Sequence, residues 1–199
     1  MPQAPTTKDV AIYQLKVTLK GSKPPIWRWI QVESGLRLGQ LHAVLQCAMG
    51  WTDSHLHQFI HQGRYYGEPS DDDGSPMTDE DKVKLSGLLR RAKSKFVYEY
   101  DFGDGWMHDV VVEKILPKEE GVQYPRCMDG ERACPPEDCG GVWGFYNMLE
   151  AVADPKHPDH TDLKDWLGGG FDPEAFTVEA VNADLAHVVA EPRAGRRIG

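Results

Sequence analysis

The stretch Phe96-Val-Tyr-Glu-Tyr-Asp-Phe-Gly-Asp-Gly-Trp-Met-His-Asp-Val110 decides the fold. Phe96, Tyr98, Tyr100 and Phe102 alternate with Val97, Glu99 and Asp101, which is the period of a strand with one aromatic face. Gly103-Asp104-Gly105 tolerates positive φ and reads as a hairpin turn. Trp106 to Ile115 is the return strand. With Asp104-Gly105 as a two-residue loop, Asp101 faces His108; with Gly103-Asp104 as the loop, Glu99 does. Either register sets an acid beside His108, which would raise its pKa.

Working toward the N-terminus, residues 55–66 have strand chemistry with a turn at Gly63, and the run 68–81 is read as a solvated acidic loop. Leu36, Leu38, Leu41, Val44, Leu45 and Met49 recur at helical spacing, and Gly50 stops that helix. Before it, Tyr13, Leu15, Val17 and Leu19 mark a half-buried strand, and Ile26 to Val32 a second one, joined by the turn Gly21 to Pro25. Toward the C-terminus, Leu85 to Arg91 is a short helix, and residues 117–141 form an irregular Pro-, Cys- and Gly-rich segment. Val142, Phe145, Tyr146, Leu149 and Val152 stripe a helix ended by Asp154-Pro155, and a short helix over 161–167 runs into Gly168-Gly169-Gly170. Asp172 is the expected N-cap, with Pro173 at the first helical position, of a last helix carrying Val178, Val181, Leu185 and Val188. The fold class is α+β: an N-terminal antiparallel or mixed sheet on one main helix, then the Cys-rich loop and a helical segment. The expected layout is a disordered 1–10, one domain over 11–187 (strand-rich 11–116, loop 117–141, helical part 142–189) and a flexible basic tail over 190–199.

A chain of 199 residues with 40% hydrophobic content can bury a core without disulfides. No apolar run approaches a membrane span, and the start lacks the apolar core of a signal peptide, so a soluble cytoplasmic protein is expected. The net charge is −9, but residues 68–81 hold seven of the acids and no Lys or Arg, so the remainder is near −2. The dense basic patch is read as the tail, Arg193, Arg196 and Arg197, and no Lys/Arg stripe calls for nucleic acid.

Three constellations could carry chemistry. His55, His57, Phe59 and His61 share one strand face, and two imidazoles two residues apart can reach one divalent ion; the plainer reading is core or surface histidines. His108 with Asp101 or Glu99 is half of an acid–base or metal-supporting pair, or an ordinary cross-strand contact. Cys127, Cys134 and Cys139 fall within thirteen residues; with His108, His55 or His157 they would complete the Cys₃His set zinc prefers, and otherwise they are thiols packed in a loop. Their spacing is not that of a zinc knuckle, and disulfides do not suit an intracellular cluster of three. Cys47 reads as core. Asp71-Asp72-Asp73-Gly74 lacks EF-hand spacing, and there is no phosphate-binding Gly-rich loop, no nucleotide-cofactor fingerprint and no nucleophile elbow.

Ile26-Trp-Arg-Trp-Ile30, Met49-Gly-Trp-Thr-Asp-Ser-His-Leu-His57, Tyr98-Glu-Tyr-Asp-Phe-Gly-Asp-Gly-Trp106, Cys134-Pro-Pro-Glu-Asp-Cys-Gly-Gly141 and Trp166-Leu-Gly-Gly-Gly-Phe-Asp-Pro173 together resemble the plasmid pRiA4b ORF-3-like family. The resemblance runs over residues 11–187. It implies a protein of the kind met as mobile-element passengers in bacteria and archaea, and it assigns no catalytic residue. A resolvase label attached to some members describes gene neighbourhood, and no recombinase motif is present in this sequence. The leading expectation is a non-enzymatic accessory or interaction domain with an unknown protein partner. Zinc on Cys127, Cys134 and Cys139 is its one candidate cofactor, and Trp27, Trp29 and Trp106 are its candidate anchors. The alternative is a metal-dependent hydrolase or nuclease with His55, His57 and His108 as ligands and Asp101 or Asp104 as ligand or base. A DNA-binding accessory protein is the third reading.

Overall fold

The computed structural model describes residues 10–69 and 77–190; Asp71 to Gly74 and the tail arginines lie outside them, as do residues 1–9. The elements are β1 (Ile12–Leu19), β2 (Trp27–Glu33), α1 (Leu38–Met49), β3 (His57–His61), β4 (Arg64–Gly67), β5 (Thr78–Asp79), α2 (Leu85–Leu88), β6 (Lys95–Tyr100), β7 (Trp106–Leu116), β8 (Arg126–Glu131), α3 (Gly141–Ala153), α4 (His160–Trp166) and α5 (Val178–Ala190). Eight strands form one mixed sheet in the order β5-β4-β3-β6-β7-β1-β2-β8, antiparallel except where β4 meets β5. The chain is α+β. No helix among the described residues is long and apolar enough to cross a membrane.

The quoted hairpin lies mid-sheet. Phe96, Tyr98 and Tyr100 of β6, with Val110 and Val112 of β7, are buried on the same side as Phe59, Leu15 and Val17, and Leu38, Leu41 and Leu45 of α1 close that core. Gly50, at φ 94, ends α1 as expected, its N–H donating to the Gln46 carbonyl at 2.8 Å. Helix α5 packs on α1 and β8.

Four expectations need correction. The hairpin turn is wider than two residues: Tyr100 pairs with Trp106, so His108 opposes Tyr98, and neither Asp101 nor Glu99 faces it. The cause is Asp101, which takes φ 56 and folds its Oδ1 back onto the N–H groups of Gly103 (2.9 Å) and Asp104 (3.4 Å). Trp106 is fully buried and is no surface anchor. The segment 117–141 is not wholly irregular, because Arg126–Glu131 joins β2 as the edge strand β8, its alternation broken by a register shift between Trp29 and Ile30. Asp172 does not cap the last helix: its Oδ1 accepts from Glu174 N–H in a separate turn, and Thr177 Oγ1 accepts from Ala180 N–H at the start of α5.

Arg28 locks β8 in place. Buried, its guanidinium donates to the carbonyls of Ala48 (3.0 Å), Trp27 (2.8 Å), Glu131 (2.9 Å) and Arg132 (2.7 Å), under the ring of Phe176. It thus ties the C-terminal end of α1, where a cation is favoured, to the strand that leads into the Cys-rich loop.

Candidate functional site

Under the sheet, α1 presents His42 and Gln46, one turn apart, to Tyr98 of β6. The backbone N–H of Asp53 donates to Gln46 Oε1 (2.9 Å), so the Gln46 amide nitrogen must be the atom that donates to Tyr98 Oη (2.9 Å). Burial pushes the Tyr98 hydroxyl pKa well up, so it keeps its proton and donates to His42 Nδ1 (2.7 Å). His42 Nε2–H then donates to Asp53 Oδ1 (2.7 Å), closing the ring of bonds. His57 stacks on His42 with ring centroids 3.4 Å apart and meets Glu80 through Nε2 at 2.8 Å. Glu80 belongs to the run expected to be solvated, yet it is only 2% exposed. It lies with Asp81 against Gly39 in the first turn of α1, where carboxylates are favoured.

The second cluster is at the rim. Three loops meet there: residues 51–56, the hairpin turn 101–105 and the segment 134–140. Asp104 Oδ2 accepts from Gly140 N–H (3.1 Å), and Glu137 accepts from the hydroxyls of Tyr100 and Thr52. His55 Nε2 lies 3.1 Å from Asp138 Oδ1 and 3.7 Å from Asp101 Oδ2. That nitrogen is buried and has no aligned hydrogen bond among the described residues.

The sequence-derived ligands are therefore separated. His55 and Asp101 come together with Asp138, whereas His57 joins His42 and Glu80. His108 packs edge-on against Trp51, with Nδ1 3.3 Å from the Tyr98 carbonyl. Instead of being raised by an acid, its pKa is driven down to about 4 by burial. Asp104 serves the turn and the Cys-rich segment. Among the described residues, two groups of three have ligand atoms within 4.8 Å of one another: His42, Asp53 and His57, and His55, Asp101 and Asp138. Cys127, Cys134 and Cys139 are in neither; all three are free, and burial pushes their thiol pKa values up, that of Cys139 to about 12.

Sequence reasoning missed His42, Asp53, Glu80 and Asp138. His42 and Gln46, polar at helical spacing beside an apolar stripe, were a usable signal; Asp138 had none beyond its loop. It also missed a groove of about 1500 Å³ at the other end of β3 and β6, lined by Lys20, Arg64, Arg90, Arg91, Lys93 and Lys95. All six are exposed, none makes an ion pair among the described residues, and Asp109 is the one acid lining it there. The signal was Arg90-Arg-Ala-Lys-Ser-Lys95, four cations in six residues.

The sequence model of the plasmid pRiA4b ORF-3-like proteins matches residues 11–180. The uncharacterized protein y4hQ of Sinorhizobium fredii is 37% identical over 183 residues, 91% of this chain and 94% of its own length. A crystal structure of a protein of unknown function from Methanosarcina mazei Go1 is 43% identical, with a TM-score of 0.78 over 85% of this chain and 97% of that one.

Proposed function

The chain belongs to the plasmid pRiA4b ORF-3-like family, and from that premise we propose that it is a non-enzymatic accessory domain that binds nucleic acid through the basic groove. The observation that carries this reading is the gathering of Lys20, Arg64, Arg90, Arg91, Lys93 and Lys95 around one groove, without ion pairs among the described residues, in a chain of net charge −9. Cations gathered on one concave surface, without ion pairs among the described residues, suit a phosphate backbone, whose condensed counterions are released on binding. Among the described residues, the Phe and Tyr side chains that line the groove, Phe96 and Tyr66, are buried and offer no exposed stacking platform. That favours phosphate contacts over base stacking, so affinity would depend little on sequence. An accessory role beside a mobile element fits such a property.

The test is fluorescence anisotropy with a labelled duplex and a labelled single strand of equal length, titrated across salt. The expected result is binding that weakens with a log–log slope of roughly −0.9 per phosphate contacted, near −5 if the whole groove is used. Absence of binding at low salt would contradict the reading.

A protein partner is the second reading. It is favoured by Trp143, 84% exposed on α3, and by Trp166, 51% exposed at the end of α4, since exposed tryptophans are common binding anchors. Replacing Trp143 and Trp166 by Ser should abolish capture of such a partner and leave nucleic-acid binding intact.

A further inference from the structure

The geometry points to a divalent transition-metal site formed by His55 Nε2, Asp101 Oδ2 and Asp138 Oδ1, at the rim where the three loops meet. This proposal is independent of the groove, which lies at the opposite end of β3 and β6.

The spacing is that of a coordination polyhedron. Metal bonds of about 2.1 Å to imidazole nitrogen and carboxylate oxygen place neighbouring ligand atoms roughly 3.0 Å apart at right angles and roughly 3.4 Å apart in a tetrahedron. His55 Nε2 is 3.1 Å from the Asp138 oxygen and 3.7 Å from the Asp101 oxygen, and all three ligand atoms lie within 4.8 Å of one another. A simple ion pair at 3.1 Å would align its N–H with the carboxylate; here the buried nitrogen has no aligned hydrogen bond. A buried ring nitrogen near two carboxylates, hydrogen-bonded to neither, is an arrangement that a shared cation would satisfy.

The neighbouring bonds leave the ligand atoms available. Asp101 spends Oδ1 on the N–H groups of Gly103 and Asp104, which fixes the carboxylate and turns Oδ2 toward His55. Asp138 is held from both sides of the segment: Glu137 accepts from Tyr100 and Thr52, and Gly140 N–H donates to Asp104. The other group of three is different in kind. At His42 the Tyr98 proton occupies Nδ1, and Nε2 donates to Asp53, so a metal there would have to break the closed ring. One imidazole and two carboxylates suit zinc or manganese. Three protein ligands leave coordination positions for water, on a side open enough that Asp138 is 70% exposed.

The experiment is titration of metal-stripped, full-length protein with Zn²⁺ against a chromophoric chelator, repeated with Co²⁺ by visible absorption. One ion per chain is expected, with Cys134→Ser binding as the parent does. Asp138→Asn and His55→Gln should each weaken binding tenfold or more, with circular dichroism unchanged. Asp138 is exposed, so its variant reads the site even if His55→Gln does not fold. No uptake, uptake indifferent to Asp138→Asn, or a thiolate-to-cobalt charge-transfer band that disappears in Cys134→Ser would each overturn the assignment; the last would return the metal to the cysteines.

Discussion

At the scale of single residues, the buried polar groups behave as a committed network. Tyr98→Phe keeps the ring's shape but removes the hydroxyl that accepts from Gln46 and donates to His42. Losing those two buried hydrogen bonds should cost about 1–3 kcal/mol, read as a fall in the urea midpoint at constant slope. His108 gives a pH dependence of definite sign. Its folded pKa, about 4, lies below its ordinary value of 6.5, so the neutral form is the one the fold favours. Its contribution is complete above about pH 6.5 and is lost as the pH falls toward 4, because the unfolded chain takes up a proton first. The loss attributable to this residue is on the order of 3 kcal/mol. Unfolding curves of His108→Gln should therefore show a shallower decline between pH 7 and pH 4 than those of the parent; equal slopes would remove His108 as the cause.

At the scale of elements, the start of α3 fixes the Cys-rich segment. A Cβ on Gly144 would lie 1.9 Å from the Cys139 carbonyl oxygen, and backbone cannot yield there as a side-chain tip can. Gly144→Ala should cost about 1–3 kcal/mol through overpacking, measured by thermal unfolding, and should displace the loop that carries Asp138. The strands and helices that were legible in the sequence are those whose periodicity records burial: α1 stripes, β6 and β7 alternate, and β1 alternates from Leu15 onward as their packing demands. What was illegible depended on partners. β8 has a broken pattern because Gly130 and a bulge interrupt it, and only β2 beside it makes it a strand. The width of the hairpin turn followed from one carboxylate, Asp101, choosing its own backbone over the cross-strand position. Glu80 looked like solvated charge because its partner, His57, arrives from β3, distant in sequence.

At the scale of the whole molecule, charge is segregated in a way that net charge conceals. Seven acids fall in residues 68–81, while six cations from three stretches of chain converge on one groove. The candidate site was half legible on the same principle: His55 and Asp101 could be named, but Asp138 joined them only through folding of the segment 134–140. The most direct measurement is nucleic-acid affinity of the parent and of Arg90→Glu/Arg91→Glu/Lys93→Glu, three exposed positions whose reversal should leave the fold intact. The expected result is salt-dependent binding by the parent, a loss of tenfold or more in the variant, and a shallower salt slope for whatever binding remains. Equal affinity in parent and variant, or no affinity in either at low salt, would contradict the assignment of the groove as a nucleic-acid site.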